Sequence, residues 1–372
     1  MRFPNAEAVC RVKDPQVWTP AQSRLMAAAC REMACFHARR SPELGALYRR
    51  RGFRPDSIRN EKDLARIPML GVSAMKSFLL TSLPHRQTVL RLTSSGTRGQ
   101  KTQIWFDAAS LERCQSQLSV LWEQEGLRSH EPTNYLMFVY DPKEAKDLGI
   151  AFSDTNQQRF APAARVFYAV RKGPGGGWEF RKAETLQALR EFAGAGLPVR
   201  LFGIPSFIYE FLSEMAEPVR LPPGSWMVTG GGWKAAEDKK VSREYFRELA
   251  SRMLGLPVEN IRDGYGMAEH CAPYLECRRH RFHVPVYCRV YVRDPVTLAV
   301  LPPGRPGLLE LVTPWNAMMP NLAILSTDMG AISPQRCPCG YDSPTFTLLG
   351  RGGLTKHKGC AIHAGEIVRR AS

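Results

Sequence analysis

Leu92 to Thr102, LTSSGTRGQKT, gathers two hydroxyls (Ser94, Ser95), Thr97, two glycines three apart (Gly96, Gly99) and the cations Arg98 and Lys101. Glycine lets the backbone approach an anion closely and take positive φ, so N–H groups and hydroxyls can converge on phosphate oxygens. The Walker A pattern needs four residues between its glycines and then Gly-Lys-Ser/Thr. Here two intervene and Gln100 separates Gly99 from Lys101, which argues against a P-loop NTPase. Further on, Gly230-Gly231-Gly232-Trp233-Lys234 leaves open backbone for a flat ring and a phosphate. Gly264 to His270, GYGMAEH, offers Tyr265 for stacking on a base, the bare backbone of Gly266, and Glu269 as a ligand for Mg²⁺, a hard ion that prefers carboxylate and phosphate oxygens. In Ser326-Thr327-Asp328 a carboxylate at a strand end can accept bonds from a ribose diol. Taken singly, each stretch suits an ordinary turn equally well.

These stretches need elements to present them, and the spacing of apolar residues supplies such elements. Residues 17 to 80 read as helical, with AQSRLMAAACREMACFHARR repeating its apolar positions at three and four residues. Ser41-Pro42 and Gly52 punctuate this lead-in, and Asp56-Ser57 opens a short helix through Leu64. Helices over Ser110 to Gln124, Ala183 to Ala193 and Ser242 to Leu254 alternate with strands over Tyr135 to Tyr140, Val166 to Val170, Val199 to Phe202 and Trp226 to Thr229. Strand, Gly or Pro turn and helix in succession indicate an α/β fold with sites at the strand ends. Beyond about residue 284 the texture changes to short β segments, VPVYCRVYV and GLLELVT. The expected organisation is a helical N-terminal region over 1–90, an α/β body over 91–284, a β subdomain over 285–348 and a short tail over 349–372.

In their order and approximate spacing, TSSGTRG, GGGWK, GYGMAE, STD and Leu349-Gly350-Arg351 resemble the adenylate-forming superfamily of acyl-CoA ligases and luciferase-like adenylating enzymes. Within it, GGGWK, IPMLGVSAMKSF at 67–78 and RFHVPVYCRV look most like the lux-type acyl-protein synthetases of bacterial fatty-acid reductase complexes. The resemblance implies the large-domain adenylate-forming fold. It also implies ATP-dependent activation of a long-chain fatty acid to acyl-AMP with release of pyrophosphate, then acyl transfer to a thiol and on to a reductase partner. By the same resemblance, Ser94, Ser95, Gly96, Thr97 and Gly99 hold phosphates, with Lys101 as the loop's candidate catalytic cation. Gly230, Gly231, Gly232, Trp233 and Lys234 with Tyr265, Gly266 and Met267 take adenine and the acyl carboxylate. Glu269 takes Mg²⁺, and Asp328 with Arg351 takes the ribose.

Two departures shape this reading. Superfamily loops usually continue Gly-x-Pro-Lys, whereas Gly99 is followed by Gln100-Lys101-Thr102. Only 22 residues follow Gly350, too few for the mobile C-terminal domain of a full-length CoA ligase. The acyl-protein synthetases are similarly short and carry an acyl-accepting cysteine near the end, a position filled here by Cys360 in TKHKGCAIHAGE. Lys356, His357, Lys358 and His363 surround that thiol with charge that lowers its pKa, and Gly359 gives access. The alternative is an acyl- or aryl-CoA ligase with a minimal C-terminus.

Cys337-Pro338-Cys339-Gly340 is a sharp turn presenting two sulfurs, and Cys277 with His283, or His280 in its place, completes a Cys₃His set suited to structural zinc. Phenylacetate-CoA ligase-type enzymes resemble this pattern. Ten cysteines at irregular spacing argue for thiols or metal ligands over a disulfide framework. With 44% hydrophobic and 23% charged residues the composition is globular, and no apolar run approaches the roughly 20 residues that span a bilayer, so the expected setting is cytoplasmic. The formal charge of +16 over 372 residues permits an acidic partner. Nucleic acid ranks last among such partners, because no nucleic-acid motif accompanies the charge.

Overall fold

The computed structural model describes residues 2–93, 102–144, 159–233 and 239–352. The N-terminal helices begin and end where local chemistry dictates. Thr19 and Gln22 form a reciprocal capping box that opens the helix Pro20–Arg40, and Ser41 closes that helix while capping the next, Pro42–Arg50. Instead of a short α-helix from Asp56 to Leu64, the chain makes two 3₁₀ turns, Pro55–Ser57 and Glu61–Arg66. Asn60 caps the second of these, an Asx arrangement that breaks any continuous helix through the region.

Along the chain the strands are β1 (Leu70–Gly71), β2 (Leu90–Thr93), β3 (Gln103–Phe106), β4 (Thr133–Tyr140), β5 (Ala163–Lys172), β6 (Trp178–Phe180), β7 (Val199–Gly203) and β8 (Trp226–Gly230). They continue as β9 (Ile261–Tyr265), β10 (Tyr274–Leu275), β11 (Phe282–His283), β12 (Arg289–Arg293), β13 (Gly307–Val312), β14 (Ala323–Ile332) and β15 (Thr345–Arg351). Two compact units hold these elements, one of residues 1–124, 267–274 and 281–372 and the other of residues 125–266 and 275–280.

The second unit is built on a sheet of order β10-β9-β8-β7-β4-β5-β6. From β9 through β5 its pairs are parallel, and the helices Lys182–Gly194, Pro205–Glu214 and Arg243–Leu254 lie in the connections from β5 to β9, as strand–helix alternation requires. Strand β4 reads TNYLMFVY and is buried at seven successive positions, the signature of a strand covered on both faces. Its side chains divide by alternation. Leu136 and Phe138 join a core with the helices Lys182–Gly194, Pro205–Glu214 and Arg243–Leu254, while Tyr135, Met137 and Val139 pack with Ala161 and Ile204. Ser242 caps the last of these helices, and Gly255, at φ 70°, ends it in the left-handed conformation.

In the first unit, β11-β15-β14-β13-β12 form an antiparallel run to which β1 adds in parallel beside β14. Of the segment VPVYCRVYV, 284–292, only the last four residues are strand, as part of β12, Arg289–Arg293. Pro285 cannot donate to a ladder, and the N–H of Cys288 turns back to its carbonyl. A separate antiparallel pair joins β2 and β3, with Thr93 opposite Gln103. Among the described residues no helix is long and apolar enough to cross a membrane.

Candidate functional site

In the first unit, the pair β2–β3 holds the two ends of the glycine-rich stretch in register at Thr93 and Gln103. Ser94, Ser95, Gly96, Thr97, Gly99 and Lys101 themselves lie outside the described residues. Thr102 is the first described residue beyond them, and its hydroxyl donates to Oε1 of Glu269 over 2.6 Å. Both side chains are buried. Asn321 Nδ2 donates to the Glu269 carbonyl over 2.8 Å, and Trp315 Nε1 donates to the His270 carbonyl over 2.7 Å. A turn in which the N–H groups of His270 and Cys271 return to the Met267 carbonyl carries the carboxylate, and Cys271 adopts φ 59°. Glu269 thus sits on a stretch of backbone that side-chain donors grip on two successive carbonyls.

Asp328 lies within the ten-residue β14, not at its end as its sequence surroundings suggested. A bulge between Met329 and Gly330 follows it immediately, and Arg351 of β15 is its cross-strand neighbour. Their side chains meet at 3.5 Å from Arg351 Nε to Asp328 Oδ1, with the arginine largely exposed and the aspartate mostly covered. The two residues assigned to a ribose are therefore side by side, and the Asp328 N–H is turned onto the Ser326 hydroxyl.

The second unit places the other glycine stretches at the C-terminal ends of adjacent parallel strands, where open α/β sheets expose their sites. Gly230 ends β8 directly opposite Gly264 of β9, and Tyr265 closes β9 ahead of Gly266. Gly231 and Gly232 take φ 81° and 66°, a backbone path that side-chain-bearing residues rarely follow. Trp233 then folds against Tyr209, ring centroids 5.4 Å apart. A cavity of about 180 Å³ opens beside this pair, lined also by Ser206, Glu210 and Ser213. Lys234 lies outside the described residues, as does Cys360.

Directly below Gly264 is a buried polar cluster that apolar periodicity does not reveal. Asp263 accepts from the Thr229 hydroxyl at 2.8 Å, and its own N–H donates to Glu276 at 2.9 Å. Arg247 Nη2 reaches both Glu276 oxygens at 2.8 and 2.9 Å. Burial by itself would raise Glu276, but the contacts with His280, Arg247 and the Asp263 N–H hold it below the usual carboxylate range.

Cys277, His283, Cys337 and Cys339 present one sulfur or ring nitrogen each, all within 4.8 Å of one another. The Cys339 sulfur lies 3.2 Å from Nε2 of His283, whose Nδ1 faces the Ser343 hydroxyl at 2.8 Å. Burial lowers the His283 pKa to about 4, so the imidazole is neutral near pH 7, as a ligand must be. A hydrogen bond on one ring nitrogen and thiols around the other is the arrangement of a metal-binding histidine. The cluster therefore fits a divalent metal. None of the nine described cysteines forms a disulfide. Cys10, Cys30 and Cys288 are buried, and burial pushes each thiol up to about 12, as inert core cysteines require.

Thr102, Trp315, Asn321 and the pair Arg247–Glu276 were not anticipated. Asn321 left a trace in the sequence, one of two amides in the otherwise apolar run PWNAMMPNLAIL, and Thr102 ends the glycine-rich stretch.

The family model described as "Acyl-protein synthetase, LuxE" matches residues 47–368. A long-chain-fatty-acid–luciferin-component ligase of Aliivibrio fischeri is 24% identical over 361 residues, covering 96% of this chain and 92% of the relative. A protein of the same name from Vibrio harveyi is 25% identical over 307 residues, covering 81% and 78%. Among solved structures, an open conformation of 2-hydroxyisobutyryl-CoA ligase, crystallised with 2-HIB-AMP and CoA, superposes with a TM-score of 0.68 at 15% identity. That match spans 91% of this chain and 78% of the ligase, and the fold is accordingly the adenylate-forming one.

Proposed function

Because the chain belongs to the LuxE acyl-protein synthetase family and is a ligase of adenylate-forming fold, we propose that it activates a long-chain fatty acid with ATP and takes the acyl group onto Cys360. The observation that carries this reading is the family match itself, which spans residues 47–368 and so takes in both the glycine-rich stretch and Cys360.

The reaction has two steps. A carboxylate oxygen of the fatty acid attacks the α-phosphorus of ATP, and the bond to the departing pyrophosphate breaks, leaving acyl-AMP. The Cys360 thiolate then attacks the acyl carbonyl, AMP leaves with the bonding electrons, and a thioester remains. Lys356, Lys358 and the neighbouring histidines favour the thiolate. Ser94 to Gly99 serve the phosphates, with Lys101 adding positive charge. The strand-end glycines 230–232, Trp233, Lys234 and Tyr265 to Met267 serve the adenine and acyl carboxylate, and Asp328 with Arg351 serve the ribose. Glu269 is the residue suited to Mg²⁺, which supplies charge neutralisation on phosphate oxygens when bound. An acyl reductase then takes the thioester, the step that membership of the acyl-protein synthetase family supports. The Cys₃His cluster would hold a structural zinc ion, since Cys277, His283, Cys337 and Cys339 supply the four protein donors of a closed site.

The test is to incubate the chain with radiolabelled fatty acid, ATP and Mg²⁺ and to seek a hydroxylamine-labile label on the protein. Cys360→Ala should abolish the label while leaving ATP–pyrophosphate exchange within about two-fold of wild type, because adenylation precedes thiol attack. If the variant instead makes acyl-CoA at the wild-type rate, the reaction is that of a CoA ligase and the thiol step is wrong.

A further inference from the structure

We propose that Thr102 is a positioning residue for the Glu269 carboxylate, setting which of its oxygens faces a divalent cation; this rests on the reading of Glu269 as the Mg²⁺ ligand. The hydroxyl donates to Oε1 over 2.6 Å, the length of a charge-assisted O–H···O⁻ bond, and the exposures of the two residues are 0% and 5%. A donor fixed on one oxygen removes the two-fold freedom of a terminal carboxylate torsion and leaves Oε2 to meet a cation. The backbone beneath is already gripped by Asn321 and Trp315, so the Thr102 bond acts on the last loose degree of freedom, the carboxylate plane.

Position in the chain gives the bond its meaning. Thr102 closes the glycine-rich stretch proposed to meet the phosphates, and its neighbour Gln103 is anchored opposite Thr93. Glu269 lies 167 residues further on. One hydroxyl therefore ties the residue that ends this stretch to the carboxylate proposed to meet the cation. Residues that orient a metal ligand without touching the metal typically change affinity by about 10–100-fold when removed. A threonine that only filled space would instead cost stability and leave metal affinity alone.

The test uses the full chain, ATP, and Mn²⁺ as a paramagnetic probe, with free Mn²⁺ followed by EPR so that affinity is read without turnover. Thr102→Val keeps the shape and removes the donor, and should weaken Mn²⁺ binding by about ten-fold or more. Thr102→Ser keeps the donor and should stay within about two-fold of wild type. Unchanged affinity in Thr102→Val of normal thermal midpoint overturns the proposal, and so does a loss of equal size in Thr102→Ser, which would assign the effect to packing. Should the valine variant fail to fold, Thr102→Ala carries the same two outcomes. Glu269→Ala separates the layers of the argument. If it also leaves Mn²⁺ affinity intact, the ligand reading of Glu269 falls. If it loses affinity while Thr102→Val does not, only the positioning role falls.

Discussion

At the level of single residues, the carboxyl of Asp263 is pushed up to about 6, first by burial and then by the Glu276 carboxylate beside it, while Arg243 and the Thr229 hydroxyl pull the other way. An acid whose folded pKa lies above its unfolded value of 3.8 contributes stability that is complete below pH 3.8 and is lost as pH rises through 6. At pH 8 the ionised group is thus a liability. Asp263→Asn should be more stable than wild type at pH 8 by about 1–2 kcal/mol, a value discounted because the side chain is 28% exposed, and indistinguishable from it at pH 4. Urea midpoints at the two pH values measure this, and an equal gain at both would show that the charge is not the cause. Tyr265 stands two residues beyond, so the variant also asks whether the glycine turn tolerates a neutral support. Single polar residues of this kind were hard to read in advance. A lone Thr, Asn or Asp has no period, and the partner that gives it meaning lies far along the chain. The glycine turn at 230–232 was legible for the opposite reason, since clustered glycine is visible within a few neighbouring positions.

Elements were the most readable level. The four strands and three helices between Ser110 and Leu254 named from alternation and three-to-four spacing all exist, with ends shifted by a few residues. Two errors have local causes: the 3₁₀ turns around Asn60, and the long β14, whose Ser326-Thr327-Asp328 looked like a terminus because polar residues interrupt its apolar run. Strand packing also sets a sharp limit at the end of β7. Gly203 is the register partner of Phe138 on β4, and a Cβ there would lie 2.5 Å from the Phe138 carbonyl oxygen. Backbone cannot swing aside as a side chain can. Gly203→Ala should cost about 1–3 kcal/mol, seen as a lower urea midpoint at unchanged slope. A variant as stable as wild type would mean that β4 and β7 can separate locally. The turn Gly203-Ile204-Pro205 launches the helix that carries Tyr209, so the same change reports on the cavity beside Trp233.

On the scale of the whole chain, the net charge of +16 identified no partner, whereas the order of short motifs identified the family over residues 47–368. Charge is a sum and discards position; motif order keeps it. The cysteine cluster likewise gathers stretches that composition alone would not connect, around 277–283 and 337–339. Metal analysis should find about one zinc per chain, and Cys337→Ser should lose it together with about 5 °C or more of thermal midpoint. Metal-free wild-type protein with an unshifted midpoint would leave the cluster as mere packing. A linear reading divides a chain into successive segments, but the compact units are interleaved, and the chain passes from one to the other after residues 124, 266, 274 and 280. That interleaving bears on how the molecule is made. Once residues up to 280 have left the ribosome, one unit has all its segments, while residues 1–124 and 267–274 still lack the segment from 281 onward that finishes theirs. The unit that holds residues 1–124 is therefore finished after the unit that follows them in the chain, and the interval between is the one in which a chaperone has most to do.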